Sequence, residues 1–196
     1  MRIARVSSKM RGETDRLLAE VADQLRAGGS SLAGIVKDLG HTSAYDNGCD
    51  MKVRVLPEGP VIEITQNLGA GSDACRLDPG AIATAVSTVE SSLLDKVDLF
   101  ILNKFGPEEA SGRGFVSVIG KAVEQGIPVL VGVGVVGASR EAFDTFAGGL
   151  AETLAADPDT IREWCLAAMS EDQDGEIDWA AWGDEPAQRK TDKQLL

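Results

Sequence analysis

Ile3-Ala4-Arg5-Val6-Ser7-Ser8-Lys9-Met10-Arg11-Gly12-Glu13-Thr14, running on through Asp15-Arg16-Leu17-Leu18-Ala19-Glu20-Val21-Ala22-Asp23-Gln24-Leu25, is the stretch from which the rest of the chain is read. The apolar run over residues 3–6 has the length of a buried strand, and Leu17, Leu18, Val21, Ala22 and Leu25 recur at helical spacing. The turn between them has the length of the phosphate-binding pattern G-x-x-x-x-G-K-[ST]. A strand, a tight turn and a helix bring the first helical N–H groups and the positive end of the helix dipole to the turn, where an anion would sit. Laid on the pattern, Ser7 takes the first Gly, Gly12 the second, Glu13 the Lys and Thr14 the hydroxyl residue. The architecture fits an anion, but a carboxylate stands where an ammonium belongs.

The remaining segments alternate in the same way. Leu32–Val36 reads as a second strand after the Gly28-Gly29 stop. Residues 51–55 and 61–64 alternate apolar and polar around Leu56-Pro57-Glu58-Gly59-Pro60, which predicts an antiparallel hairpin with one solvated face. Asp78-Pro79 opens a helix with Ile82, Val86 and Val89 on one face. The runs 97–102 and 127–133 read as central strands, and helices are expected over 114–125, 140–146 and from Asp157-Pro158 onward. This order predicts an α/β three-layer sandwich: a mostly parallel sheet, helices on both faces and an inserted antiparallel hairpin. The expected division is one domain over residues 1–150, followed by a C-terminal helix and an acidic, polar tail over 151–196. Trp179 and Trp182 would anchor that tail.

The 196 residues, with 43% hydrophobic and 26% charged side chains, suit one soluble α/β unit. A formal charge of −12 argues against a nucleic-acid partner, which needs clustered Lys and Arg, but leaves room for one small anion in a locally positive pocket. No apolar run approaches the ~20 residues of a membrane span, and no leader segment is read at the start, so the expected location is the cytoplasm. Three cysteines without paired spacing suit a reducing compartment. Cys165 reads as packing. Cys49 and Cys75 are candidate metal ligands because soft thiolates bind transition metals, although four ligands are normally needed and plain buried thiols are the simpler reading. His41 reads as a surface loop residue without a partner.

Taken together, Arg11-Gly12-Glu13-Thr14-Asp15, the hairpin from Cys49-Asp50-Met51 to Pro57, Cys75-Arg76-Leu77-Asp78-Pro79-Gly80, and Asn103-Lys104-Phe105-Gly106 with Glu109 and Gly112-Arg113-Gly114-Phe115 carry a resemblance. Over about residues 1–150 the chain resembles a bacterial family of unassigned function in the P-loop nucleoside-triphosphatase superfamily, similar to small nucleoside-triphosphatases of thermophiles. Members of that family are often encoded near molybdate-transport and molybdenum-nitrogenase genes. The resemblance implies a P-loop NTPase-like fold. It also implies that the strand ending at residue 102 is followed by Asp-Glu in active relatives, the Asp organising Mg²⁺ and the Glu activating water. Here those places hold Asn103 and Lys104.

Phosphoryl transfer depends on positive charge around the phosphate oxygens. Glu13 in the loop, neutral Asn103 and cationic Lys104 therefore make Mg²⁺ an unlikely cofactor and efficient hydrolysis an unlikely activity. The leading expectation is a degenerate P-loop site binding a nucleotide or a small oxyanion such as molybdate, with an accessory or regulatory role connected to molybdenum. Ser7, Ser8, Lys9, Arg11, Gly12, Glu13, Thr14, Asn103, Lys104 and Arg113 are its candidate residues. Because the resemblance sets their positions on adjacent central strands, Glu13 and Lys104 are expected to pair. The alternatives are a protein-interaction module or homo-oligomer with an inert site, and a weak nucleoside-triphosphatase or new metal–thiol chemistry.

Overall fold

In a computed structural model, residues 2–43, 50–66, 76–92 and 96–171 are described, and the account below concerns these. The side chains of residues 76, 92 and 171 are left aside. Strand β1 (Ile3–Val6) leads through the glycine-ended turn into α1 (Glu13–Ala27), then β2 (Leu32–Lys37). The hairpin strands are β3 (Lys52–Val55) and β4 (Val61–Glu63), followed by the short pair β5 (Thr65–Gln66) and β6 (Arg76–Leu77). The second half runs α2 (Pro79–Ser92), β7 (Leu99–Phe105), α3 (Pro107–Ala110), α4 (Val116–Glu124), β8 (Val129–Val133), α5 (Ala138–Phe146), β9 (Glu152–Leu154) and α6 (Pro158–Glu171).

Seven strands form one sheet in the order β4-β3-β2-β7-β8-β1-β9. β2, β7, β8, β1 and β9 are parallel, and the hairpin is added antiparallel at the β2 edge, so the expected architecture holds. The central strands β7 and β8 are buried on both faces, which is why they read as continuous apolar runs. One face packs Leu17, Leu18, Val21 and Leu25 of α1 with Ile161, Trp164 and Cys165 of α6. The other packs Ala85 and Val89 of α2, Val118 and Ile119 of α4, and Phe143 of α5. The ring of Phe105 meets that of Phe143 edge-on at 5.3 Å, which ties the end of β7 to α5.

The chain beyond residue 150 is built into the same unit. β9 pairs with β1 through Ala4↔Glu152 to Val6↔Leu154, and α6 lies over α1 within the core. Polar Glu152 and Thr153, two of its three residues, hid this edge strand from the hydrophobic pattern. The tail residues 172–196, with Trp179 and Trp182, lie outside the described residues, as do Cys49 and Cys75. Cys165 is buried as expected, and burial pushes its thiol up to about 12.

The helix caps follow the sequence. Asp78 Oδ1 accepts from the N–H groups of Gly80 and Ala81 at 2.8 and 3.1 Å, and Asp157 Oδ2 from that of Thr160 at 2.8 Å. Within β2, Gly34 has φ +111°, and a Cβ there would lie 1.9 Å from the carbonyl oxygen of Ile101 on β7. Only glycine lets these two central strands approach at this point. Gly34→Ala should therefore destabilise the protein by about 2 kcal/mol or more, read as a lowered midpoint in urea-induced unfolding.

Candidate anion site

Gly12 caps α1 in the left-handed conformation, φ 76° and ψ −6°, which reverses the chain out of β1 into the helix. Two side chains hold the turn in shape. The Ser8 amide donates to Thr14 Oγ1 at 3.1 Å, and Ser8 Oγ accepts from the Met10 amide at 3.1 Å. Among the described residues, the amides of Lys9, Arg11, Gly12, Thr14 and Asp15 donate to no protein acceptor. These residues, in the turn and the first turn of α1, all line a cavity of about 200 Å³. Ser8, Lys9, Arg11, Gly12 and Thr14 line it from the loop, Lys104 from the end of β7, and Val133 and Gly134 from the end of β8.

Lys104 reaches that wall because β7 carries one extra residue. Leu102 pairs with Val131 and Phe105 with Val133, so Asn103 and Lys104 together face Gly132 alone. Such bulges re-aim side chains, and here Asn103 turns inward while Lys104 is exposed. Gly132 makes the junction possible. A Cβ on it would stand 2.8 Å from Leu18 Cδ1 and 3.2 Å from both Asn103 Oδ1 and Thr14 Cγ2. Asn103 is 7% exposed, and among the described residues neither its Oδ1 nor the buried Oγ of Ser7, which does not line the cavity, has a hydrogen-bond partner.

The expected pairing of Glu13 with Lys104 is overturned. Glu13 accepts a hydrogen bond from Ser8 Oγ, and its other oxygen lies 3.9 Å from the Arg16 guanidinium. Side chains in the first turn of a helix lean back over the preceding residues, which carries this carboxylate to Ser8. The two strands are also not neighbours, because β8 lies between β1 and β7. Among the described residues Lys9, Arg11 and Lys104 enter no ion pair. Asp15, which the sequence reading did not select, lines the cavity and lies 3.7 Å from Lys37 Nζ. Its place in the first helical turn, one residue past Thr14, was the available signal.

Arg113 is held elsewhere. Its Nε and a terminal nitrogen meet the two oxygens of Glu108 at 2.8 and 3.3 Å, which keeps that carboxyl below the usual range and the guanidinium above its own. Glu109 is structural: one oxygen accepts from the Gly106 amide at 2.9 Å, the other from the Phe115 amide at 3.1 Å. His41 has a partner after all, its Nε2 lying 2.9 Å from Asp50 Oδ2, while Ser43 Oγ donates to the same buried carboxylate. Asp50 is nine residues from His41 and seven from Ser43 in sequence, so no local pattern announced the cluster.

Comparison with known proteins places this geometry. A family described as "Protein of unknown function (DUF2478)" matches residues 3–164. The molybdenum import ATP-binding protein ModC 2 of Bradyrhizobium diazoefficiens is 33% identical over 184 residues, covering 90% of this chain. The match covers 20% of that relative, so the chain spans about a fifth of its length. The solution structure of a human cancer-related nucleoside triphosphatase superposes with a TM-score of 0.56 at 12% identity, covering 90% of this chain and all of the other. The fold is that of the P-loop nucleoside-triphosphatases.

Because Glu109 satisfies two backbone donors in a buried setting, Glu109→Ala should lower stability by about 2 kcal/mol in chemical denaturation. The loop after β7 should then exchange its amides faster.

Proposed function

This chain belongs to the family described as "Protein of unknown function (DUF2478)", and from that premise we propose that it binds a nucleotide or small oxyanion in a degenerate P-loop without efficient hydrolysis. One observation carries the reading. Lys9, Arg11 and Lys104, which enter no ion pair among the described residues, line one cavity together with the turn residues whose amides have no acceptor there. Such a cradle offers hydrogen bonds and positive charge to a tetrahedral anion. Lys104 supplies from β7 the ammonium that the loop lacks.

Hydrolysis has less support. The fold family implies Mg²⁺ beside the loop hydroxyl and the end of the Walker B strand. Thr14 Oγ1, which accepts from the Ser8 amide, and Asn103 Oδ1 are neutral. The carboxylate that lines the cavity, Asp15, lies 3.7 Å from Lys37 Nζ, whereas a small hard cation prefers uncommitted carboxylate. These residues do not fit a resident Mg²⁺, and no step is derived through one. The residue after Asn103 is an amine, which cannot activate water as a carboxylate does.

The molybdenum import protein among the relatives supports molybdate as one oxyanion to try, and an accessory or regulatory role in molybdenum handling. A partner-docking role is a second reading. It is favoured by exposed Met10 and Val136, on the two loops that frame the cavity.

Titration calorimetry with pyrophosphate, molybdate and ATP tests the site. At least one should bind, and Lys104→Ala should weaken it about tenfold, as loss of a charge-assisted contact implies. Glu13→Gln should tighten it several-fold by removing the loop's negative charge. Unchanged affinity in Lys104→Ala, or rapid Mg²⁺-dependent ATP turnover by pure protein, would overturn the reading.

A further inference from the structure

A second cavity, of about 270 Å³, lies next to the first, under the hairpin and α2. Its lining differs in kind. Ile35, Val53, Ile64, Leu77, Ile82 and Phe115 make an apolar chamber drawn from β2, β3, the segments beside β5 and β6, α2 and the start of α4. Its polar groups include Asp15, Lys37, Asn103 and Lys104, and two of these, Asp15 and Lys104, also line the anion cavity. The two spaces therefore share a wall at which stands Lys104, a cation with no ion-pair partner among the described residues.

Protein interiors are close-packed, and a space of this size lined by aliphatic side chains gives water few partners. Apolar chambers with a few polar groups at one end are the usual form of a small-molecule pocket. Thr65, Glu108 and Glu109 also line the chamber, but they are engaged by the Met51 amide, by Arg113 and by the Gly106 and Phe115 amides, respectively. The uncommitted cation is therefore at the shared wall, and the rest of the lining is mainly apolar. A bare inorganic oxyanion would use only the first cavity.

We propose that the natural ligand is an organic phosphate: its phosphate or diphosphate lies in the cradle, and an uncharged ring or chain of low polarity occupies the second cavity. Lys104 contacts the phosphate at the junction. This rests on the anion-binding reading above and narrows its ligand class. The hairpin then has a role in recognition, since it supplies Met51 and Val53 to the wall around the organic group.

Calorimetry with inorganic phosphate, pyrophosphate and phenyl phosphate on the full chain decides the matter. Burying one ring at about 25 cal/mol per Å² predicts that phenyl phosphate binds about tenfold or more tightly than inorganic phosphate. Ile82 and Met51 are half-buried lining residues, so Ile82→Trp and Met51→Trp each place an indole in the chamber at modest risk to folding. In either folded variant phenyl phosphate should fall to the affinity of inorganic phosphate, whose own affinity stays the same. Anion binding without any gain from the ring, or a gain that survives both substitutions, overturns this proposal alone. Failure of all three probes to bind the unaltered protein overturns it together with the anion-binding reading.

Discussion

The close approach of α1 to β8 at Gly132 is the constraint on which the site depends. Because that position has no side chain, Thr14 and Leu18 of the helix and Asn103 of β7 can meet over one backbone atom. The same residue faces the extra residue of β7, so helix placement and strand irregularity are solved at a single point. A bulkier residue would push the helix N-terminus away from the sheet, and the loop amides with it. The orphan donors would remain, but they would no longer share a cavity with Lys104.

Charge is distributed around this point in an unusual way for a phosphate loop. The carboxylate of Glu13 is turned back and occupied within the loop by Ser8, with Arg16 nearby. It braces the turn while reducing the positive potential there. Lys104, delivered by the bulge from two strands away, restores a cation on the far side of the cavity. The result is a strand–turn–helix with its carboxylate at the helix start and a cation at the end of β7.

Much of the fold was legible because it rests on local patterns. The apolar runs of β7 and β8, the 3.6-residue spacing of α1 and the Asp-Pro openings of α2 and α6 each determine an element almost alone. What could not be read depended on neighbours distant in sequence. β9 is a three-residue strand with exposed Glu152 and Thr153, visible only through its partner β1. The site was half legible for the same reason. Ser8, Lys9, Arg11, Gly12, Thr14 and Lys104 do converge, but the partner of Glu13 was misjudged because strand order, not chain order, decides what lies beside the loop. The second cavity escaped notice because its walls are scattered from Asp15 to Phe115 and look largely like ordinary core.

β1 lies between β8 and β9, so the first strand of this fold to be made acquires its two partners from the last two strands of the same sheet. Until residues 129–154 emerge, both edges of that apolar strand and the inner face of α1 lack their native cover. α6 must follow as well to close the sheet face. Long-range pairing of this kind slows folding and leaves aggregation-prone edges open in the meantime. The cavity-lining turn at the tip of β1 thus precedes most of this fold in chain order and is among the last of its structures to be completed.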